Sequence, residues 1–549
     1  AVAISFQFVS VNLMSKFSMG LLIVIALVAI AVFIFREIYK LQHWKRLSVP
    51  YDGGVPLFGN LAQAMLQKRA IALIQKDLYE KYSNHRYFGY FMFTCPSLVI
   101  RDLDLVKQIC IRDFDHFTDH REFLPVDADP FWNKILFARK GRDWHDFRKL
   151  VAPAFTQSKM KQMFPYMTEC ADRLICSLPE SKEVISMDIH DLFIKVANDL
   201  TLNLAYGINC NSFNDPNNQF YTMAKNEFVL SRIKGFKFFG AAISKPFANF
   251  FKVSFFSEES KKFYKKLMKE TLAYRKKNDL VRVDVLHIMK EAQKGELHFE
   301  KEDAEDEKLF DPKNMNGLGN NHASKLRISD EDITVQLMGL FFSSFDSFTT
   351  YLCNCAYELT LNSDVQEKLI KEIDQTWTKC EGKITYESII NMKYFEMVCQ
   401  ETLRLRSPTV FLDRVVTKPY TIPPVLPHEK PLHLKKGQDI TIPAFCFTRD
   451  EHYFENPEKF DPERFSDENK ASILPQTMLT FGLGSRACMG SRMAVLQTKL
   501  VLFYFLLRYR LVPTEKTAIP FQIHKSSISQ SSEHGYWLGL RQRTDSPHM

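Results

Sequence analysis

From about Ala62 onward, apolar residues recur at helical spacing through most of the chain, and β-like patterning is confined to short stretches near 87–100 and 420–442. That balance predicts a mainly α fold with a minor β portion. Ser329 to Leu361 reads as one long helix, and a second begins near Asn391. A third runs from Ser491 to Leu506 with Met493, Val495, Leu496, Leu500 and Val501 on its apolar side. Glu300 to Lys325 is rich in Glu, Asp, Asn and Gly, which predicts an exposed loop. No internal repeat and no Gly/Ser- or Pro-rich linker divides the body. A length of 549 residues would ordinarily suggest about three or four domains, but one large domain over 61–549 fits the unbroken pattern better.

The N-terminal end breaks this rhythm. Met19 to Phe35 carries no charge and no strongly polar side chain. As a helix it would span roughly 26 Å, enough for a bilayer with some snorkelling at its ends. Arg36, Lys40, Lys45 and Arg46 follow it and only Lys16 precedes it, so the positive-inside rule puts the downstream body in the cytoplasm. A cleaved signal peptide would carry its positive charge first and end in a small-x-small site, a pattern these residues do not follow. An uncleaved transmembrane signal anchor over 19–35 is expected, behind a short extension at 1–18; Met14 and Met19 are both candidate starts. Pro50, Gly53, Gly54, Pro56 and Gly59 make 36–60 a basic, turning hinge.

Phe228 to Phe263 interleaves aromatic rings with Lys234, Lys237, Lys245 and Lys252. Helix packing accounts for some of the rings, while aromatics alternating with lysines also describe a surface that dips into lipid headgroups. Net charge is +8 without a periodic Lys/Arg stripe, so no nucleic-acid partner is expected. The eleven cysteines form no CxxC pair. They suit reduced thiols in a cytosol-facing protein better than disulfides or a zinc site.

One loop carries the clearest chemistry. Phe481-Gly482-Leu483-Gly484-Ser485-Arg486-Ala487-Cys488-Met489-Gly490 places three glycines and one cysteine just before the 491–506 helix. Glycines let the backbone turn tightly and lie close to a flat partner. A cysteine at a helix N-terminus is favoured as thiolate, a good axial ligand for haem iron. A buried structural cysteine in a Gly-rich turn is the plainer alternative. The full pattern, Phe-x-x-Gly-x-Arg-x-Cys-x-Gly, resembles the haem-binding signature of the cytochrome P450 family at each defining position.

That resemblance gives meaning to other stretches. In Trp144-His145-Asp146-Phe147-Arg148, the tryptophan and arginine share a helical face and both can donate to a carboxylate. The stretch is similar to the family helix that holds a haem propionate. Arg414 and Arg486 match the other propionate-binding arginines, whose fork-shaped guanidinium groups suit an anionic haem edge. Phe481 and Gly490 belong to the signature itself. Glu401 and Arg404, three apart, can pair on one helical face, and 460–465 resembles the segment that supplies Arg464 as a third partner. The resemblance implies a buried structural triad of Glu401, Arg404 and Arg464 with no catalytic task.

The long helix holds Ser343-Ser344-Phe345-Asp346-Ser347 where the family has a small pair, usually Ala-Gly, then any residue, an acid and a threonine. Asp346 and Ser347 are thereby implied as the catalytic acid and alcohol that relay protons towards dioxygen. Serine keeps the hydroxyl but lacks the methyl that limits threonine's rotamers, a departure that puts coupling efficiency in question. The alternative is that these hydroxyls simply bond back to helical carbonyls.

The resemblance covers essentially the whole chain, and 153–160 is also similar to insect microsomal branches associated with detoxification. It implies a single cytochrome P450-type domain behind the anchor, in the endoplasmic reticulum membrane with its catalytic domain cytosolic. Haem b ligated by Cys488 would let a monooxygenase insert one atom of O2 into a lipophilic small molecule and reduce the other to water. Electrons would come from NADPH through a separate NADPH-cytochrome P450 reductase, because no dinucleotide-binding glycine motif is seen, with cytochrome b5 as a second candidate partner. Phe123, Leu124, Ser343, Thr409, Val410, Phe411 and Leu412 are the candidate pocket lining, apolar and fairly large. Two alternatives stay open: a haem-thiolate isomerase or dehydratase that needs no reductase, and a non-catalytic binder of lipophiles.

Overall fold

The computed structural model describes residues 21–547 apart from 22, 23, 26, 29, 30, 126, 216, 229–236, 239, 242–244, 296–327 and 428. Six helices position the site: α1 (Gly141–Val151), α2 (Gln157–Ser177), α3 (Ile189–Tyr206), α4 (Asp330–Leu361), α5 (Lys393–Leu405) and α6 (Ser491–Arg508). The 32-residue α4 starts where a reciprocal cap allows it. Asp332 N–H donates to the Ser329 hydroxyl at 3.1 Å, and Ser329 N–H donates to the Asp332 carboxylate at 3.0 Å, which satisfies donors that a helix start leaves unpaired. Along its length Leu337, Phe341, Leu352 and Cys355 are fully buried where α4 meets α3, α5 and α6. Each such Leu or Phe stabilises the fold by about 1.5–3 kcal/mol. The helices expected near Asn391 and over 491–506 are present as α5 and α6, shifted by about two residues at one end.

Among the described residues, nine short strands form three sheets. β1 (Tyr87–Met92) and β2 (Cys95–Ile100) fill the expected 87–100 stretch; β5 (Tyr420–Ile422), β6 (Leu432–Leu434) and β7 (Asp439–Ile442) fill 420–442. Patterning did not reveal β3 (Ile185–Asp188), β4 (Leu412–Val415), β8 (Tyr509–Val512) or β9 (Trp537–Gln542). β3, β4 and β8 have four residues each, too few for alternation to stand out, and β9 is buried at three successive positions and so does not alternate; β3 finds its partner only at β9, with Ile185 opposite Leu540. The four-stranded sheet runs β1-β2-β7-β4; β2 and β7 are parallel, and Arg414 on β4 lies opposite Ile440 on β7. Val415 N–H donates to Asp119 O at 2.8 Å, which ties the 118–121 loop to the same edge.

The expected 36–60 hinge is fastened at its middle. Trp44 is fully buried and its indole N–H donates to Tyr90 O at 3.1 Å. A Cβ at Gly89 would fall 2.3 Å from the Trp44 ring, so β1 needs a glycine there to admit the indole. Upstream, residues 31–40 are helical, and Leu21, Val24, Ile25, Val32 and Phe35 are exposed. Among the described residues no helix is long and apolar enough to cross a membrane. The anchor expected over 19–35 falls partly outside the described residues, and the 1–18 extension and the 300–325 loop fall wholly outside them. Of the aromatic segment, Lys234, Phe236 and Phe239 also lie outside. Phe255 stacks on Trp132 at 3.9 Å and Phe256 is buried against Phe131. Phe250 and Phe251, beside Lys252, are instead 81% and 49% exposed. Core packing therefore claims part of the segment and leaves an outward-facing tip.

Candidate active site

The Cys488 loop is shaped by its glycines. Gly482 and Gly484 sit at φ +81° and +72°, where only glycine is comfortable. A Cβ on Gly484 would also lie 2.0 Å from Cys110 O, so no side chain can stand there without moving backbone. Cys488 N–H donates to Phe481 O at 2.7 Å and closes the loop; Gly490 then caps α6. The Cys488 side chain is exposed, yet burial is the largest influence on its thiol and raises its pKa against the pull of the Gly490 N–H and Arg148. Both hold for a sulfur that is accessible yet closely surrounded by protein. The helix start alone therefore does not secure the thiolate that was expected: burial outweighs it, and a metal cation on the sulfur would reverse the balance.

Three guanidinium groups crowd this loop. Arg486 donates to Thr118 O at 2.8 Å and Arg139 O at 2.9 Å, and its plane lies 3.9 Å from the Trp144 ring centroid. Arg148 donates to Ala487 O at 2.9 Å. Arg414 donates to Asp413 O at 2.7 Å and Leu483 O at 3.4 Å, and its Nε is buried without a partner. Burial pushes Arg148 down to about 10, with Cys488 opposing. Burial, then the neighbouring Arg414, pushes Arg486 well below its usual range, with Asp119, 3.7 Å away, opposing. Like charges held this close in a poorly solvated place favour an anion. Trp144, expected as a donor, is seen as the buried platform beneath Arg486, with Arg148 5.8 Å from its ring.

Glu401 and Arg404 form a closed site. Both are fully buried; Arg404 donates to the two Glu401 oxygens at 2.6 and 2.8 Å, and Asp461 N–H donates to Glu401 at 2.8 Å. The remaining Arg404 donors end on Thr448 O, Pro457 O and Lys459 O. Arg464 is the third member, its Nε 3.5 Å from Glu401 and its Nη2 donating to Asn456 O at 2.9 Å.

On α4, Ser343, Asp346 and Ser347 are exposed although most of the helix is buried; their spacing puts them on one face. Ser343 bonds back to Leu340 O at 3.0 Å, and Ser344 bonds to Phe341 O at 3.2 Å and meets Thr201 at 3.0 Å. Back-bonding thus accounts for both of these hydroxyls, whereas Ser347 has no side-chain hydrogen bond among the described residues. Although the Asp346 side chain is accessible, the protein packed around it raises its pKa, with nearby His190 and Ser529 opposing. Among the described residues, Asp346 and Ser347 share no hydrogen bond or ion pair with the arginine cluster. Phe123 is exposed and Thr409, Phe411 and Leu412 are half-buried. Leu124 is buried with Ala248 and Val253, and Val410 with Ile440 and Phe445.

The family model described as "Cytochrome P450" matches residues 49–538. This chain belongs to the cytochrome P450 family. It is 35% identical over 518 residues to "Cytochrome P450 9e2" of Blattella germanica, covering 91% of this chain and 94% of that protein. It is 36% identical over 512 residues to "Probable cytochrome P450 9f2" of Drosophila melanogaster, covering 91% and 95%. "Cytochrome P450 6k1" of Blattella germanica is 30% identical over 515 residues, covering 94% and 95%. The family's homologues are monooxygenases with cysteine-ligated haem, and this P450 is an enzyme of that class.

Some residues around the P450 site gave no sequence signal. His120 Nδ1 lies 3.0 Å from Asp413 and its ring stacks on Phe137 at 4.2 Å. Burial alone would raise Asp413, but His120 and the Arg121 N–H hold it well below the usual carboxylate range. Nothing in the linear pattern pointed to His190 or Ser529, which reach Asp346 only through tertiary packing.

Proposed function

We propose that this P450 is a microsomal monooxygenase that inserts one oxygen atom of O2 into lipophilic small molecules, with electrons from NADPH through a separate flavin-carrying reductase and, secondarily, cytochrome b5. The observation that carries this reading is the glycine-shaped Cys488 loop crowded by Arg148, Arg414 and Arg486. Cys488 would ligate the iron of haem b; the three arginines, with Trp144 as platform, would hold its propionates; Phe481 and Gly490 would flank it. Bound there, haem supplies dioxygen activation, and a thiolate ligand favours O–O cleavage. The protein's own part is positioning and proton supply. Asp346, raised by burial, is suited to holding a proton, and Ser347 offers the one hydroxyl of the 343–347 stretch not bonded back to its helix. Phe123, Ser343, Thr409, Phe411 and Leu412, with Leu124 and Val410 behind, would form the substrate pocket.

Membrane placement is part of the same reading. The exposed apolar side chains at 21–35 support an anchor over 19–35 and location in the endoplasmic reticulum, with a 1–18 extension before it, a 36–60 connector and a cytosolic catalytic domain over 61–549. Phe250 and Phe251 beside Lys252 support a second, shallow contact with the lipid headgroups. The decisive experiment offers a panel of lipophilic compounds to the purified protein with NADPH and reductase. Oxygenated products that require both NADPH and O2 are expected. Product without either would favour an isomerase, and binding without product a sequestering protein.

A further inference from the structure

Asp129 is a fully buried carboxylate that the site described above does not use, and it stands between two segments far apart in sequence. Its Oδ1 accepts the Trp132 N–H at 3.0 Å, and its Oδ2 accepts the Phe255 N–H at 2.8 Å. Oδ2 also lies 2.9 Å from the Ser254 hydroxyl, whose one hydrogen is shared with Phe256 O at 2.8 Å. Lys261 Nζ is 3.8 Å from Asp129 and donates to Ser254 Oγ at 3.1 Å. One carboxylate thus fastens 254–255 to the 129–132 turn and seats Phe255 flat on Trp132, with 11° between the ring planes.

The two sides of this clasp are held differently. The turn side is tied to α4: Gln336 donates to Lys134 O at 2.6 Å and accepts the Leu136 N–H at 3.0 Å, and Arg139 pairs with Asp332 at 2.8 Å. The other side follows the exposed tip of Phe250 and Phe251 and is tethered further on, where the Ser257 N–H donates to Glu227 at 2.9 Å. Trp132 and Phe255 both stand edge-on to Phe342, at 5.5 and 5.2 Å. Phe342 is one turn before Asp346 on the same face of α4. Trp132 also leads through Phe137 at 6.5 Å to Phe123, a further 6.1 Å away. The clasp therefore closes a cover at the border of the α4 face that carries Ser343, Asp346 and Ser347.

We propose that Asp129 is a positioning residue that holds 254–256 down beside α4, and that the opening of its clasp sets how fast lipophilic molecules enter and leave the site. The proposal rests on the pocket reading given above. Hydrogen bonds to a charged acceptor are strong while dry. Their loss is largely offset once water reaches the carboxylate and the freed N–H groups, so such a contact can open and reclose. It closes over the empty and the filled site alike. Weakening it should therefore multiply entry and exit by one factor and leave their ratio, the affinity, unchanged.

The test uses the full-length, haem-loaded protein with Asp129→Asn and Ser254→Ala. The first readout needs neither ligand nor turnover: hydrogen exchange of the peptide carrying the Phe255 N–H. An amide keeps one acceptor oxygen but turns its NH2 towards a donor, so Asp129→Asn leaves a backbone N–H unmatched. Exchange at Phe255 should quicken about tenfold, while peptides from the middle of α4 exchange as in the parent. The second readout is stopped-flow binding of N-dodecylimidazole, a lipophilic probe whose ring nitrogen reports on the haem through the Soret band. Association and dissociation should both quicken about tenfold in Asp129→Asn and about threefold in Ser254→Ala. The dissociation constant should stay within about twofold of the parent. Unchanged exchange at Phe255 in Asp129→Asn overturns the proposal. Faster exchange with unchanged binding rates also overturns it, because the clasp then lies off the path. A change in dissociation alone does the same, since Asp129 would then shape the lining and not the access. No Soret change in the parent would overturn the pocket reading beneath, and the proposal with it. If Asp129→Asn fails to fold, Ser254→Ala carries both readouts, and unchanged rates there decide against the clasp.

Discussion

Arg404 and Arg486 are both buried guanidinium groups with donors ending on backbone carbonyls, yet electrostatically they are opposites. Arg404 meets a fully buried carboxylate in two short hydrogen bonds. Arg486 has Asp119 no nearer than 3.7 Å and feels the repulsion of Arg414 and Arg148. The first site is finished: Arg404 and Glu401 neutralise each other and the remaining Arg404 donors tie α5 to 448–459. The second is left positive by the fold. A closed pair holds chain segments together, whereas an open cluster costs stability unless an anion settles in it.

That contrast can be broken most severely at the closed site. Arg404→Ala would strand Glu401 without its main counter-charge, at a cost of about 3–5 kcal/mol. Little soluble, haem-containing protein is expected, and expression yield with urea unfolding will measure it. Next comes Cys488→Ser, which should leave most of the fold yet abolish the thiolate signature in the reduced carbon monoxide difference spectrum. Retention of that signature would remove Cys488 from the role of ligand.

The open site predicts a subtler split. Arg148→Gln removes one member of a mutually repelling set, so unfolding of the haem-free protein should change by no more than about 1 kcal/mol. Haem transfer to an acceptor protein should nevertheless speed up roughly tenfold, since a charge-assisted donor to the propionates is lost. Equal losses of stability and haem retention would show that the cluster is structural after all. The same contrast appears in miniature on α4, where Ser343 and Ser344 are bonded and Ser347 is open. Ser347→Thr should tighten the hydroxyl's rotamers and raise product per NADPH by about twofold at most; a fall in that ratio would mean that the extra methyl blocks the pocket.

The sequence made the local parts of this site legible and left the convergent parts hidden. Glu401 and Arg404 are three apart on one helix, so periodicity alone could pair them, and the glycine spacing around Cys488 demanded a tight loop. Arg414 was placed after the α5 helix but not on a strand, because four residues are too few to show alternation. Burial at Cys488 entered the sequence reading only as the plainer alternative, since a helix N-terminus can be read from sequence and the atoms surrounding it cannot. Asn354 on α4 meets Gln530 and Tyr536, 176 and 182 positions further along. Such contacts are fixed by packing of the whole chain.

Trp44 carries a consequence of its own. The proposed anchor ends at Phe35, and a few residues later the chain is pinned by an indole sunk against Gly89. With the proposed anchor in place, an enzyme pinned so close to it would be bolted down, with little freedom to swing as on a leash. Its height and tilt above a bilayer would then be properties of the fold, and a redox partner confined to the same two-dimensional sheet would meet it in a narrow range of poses.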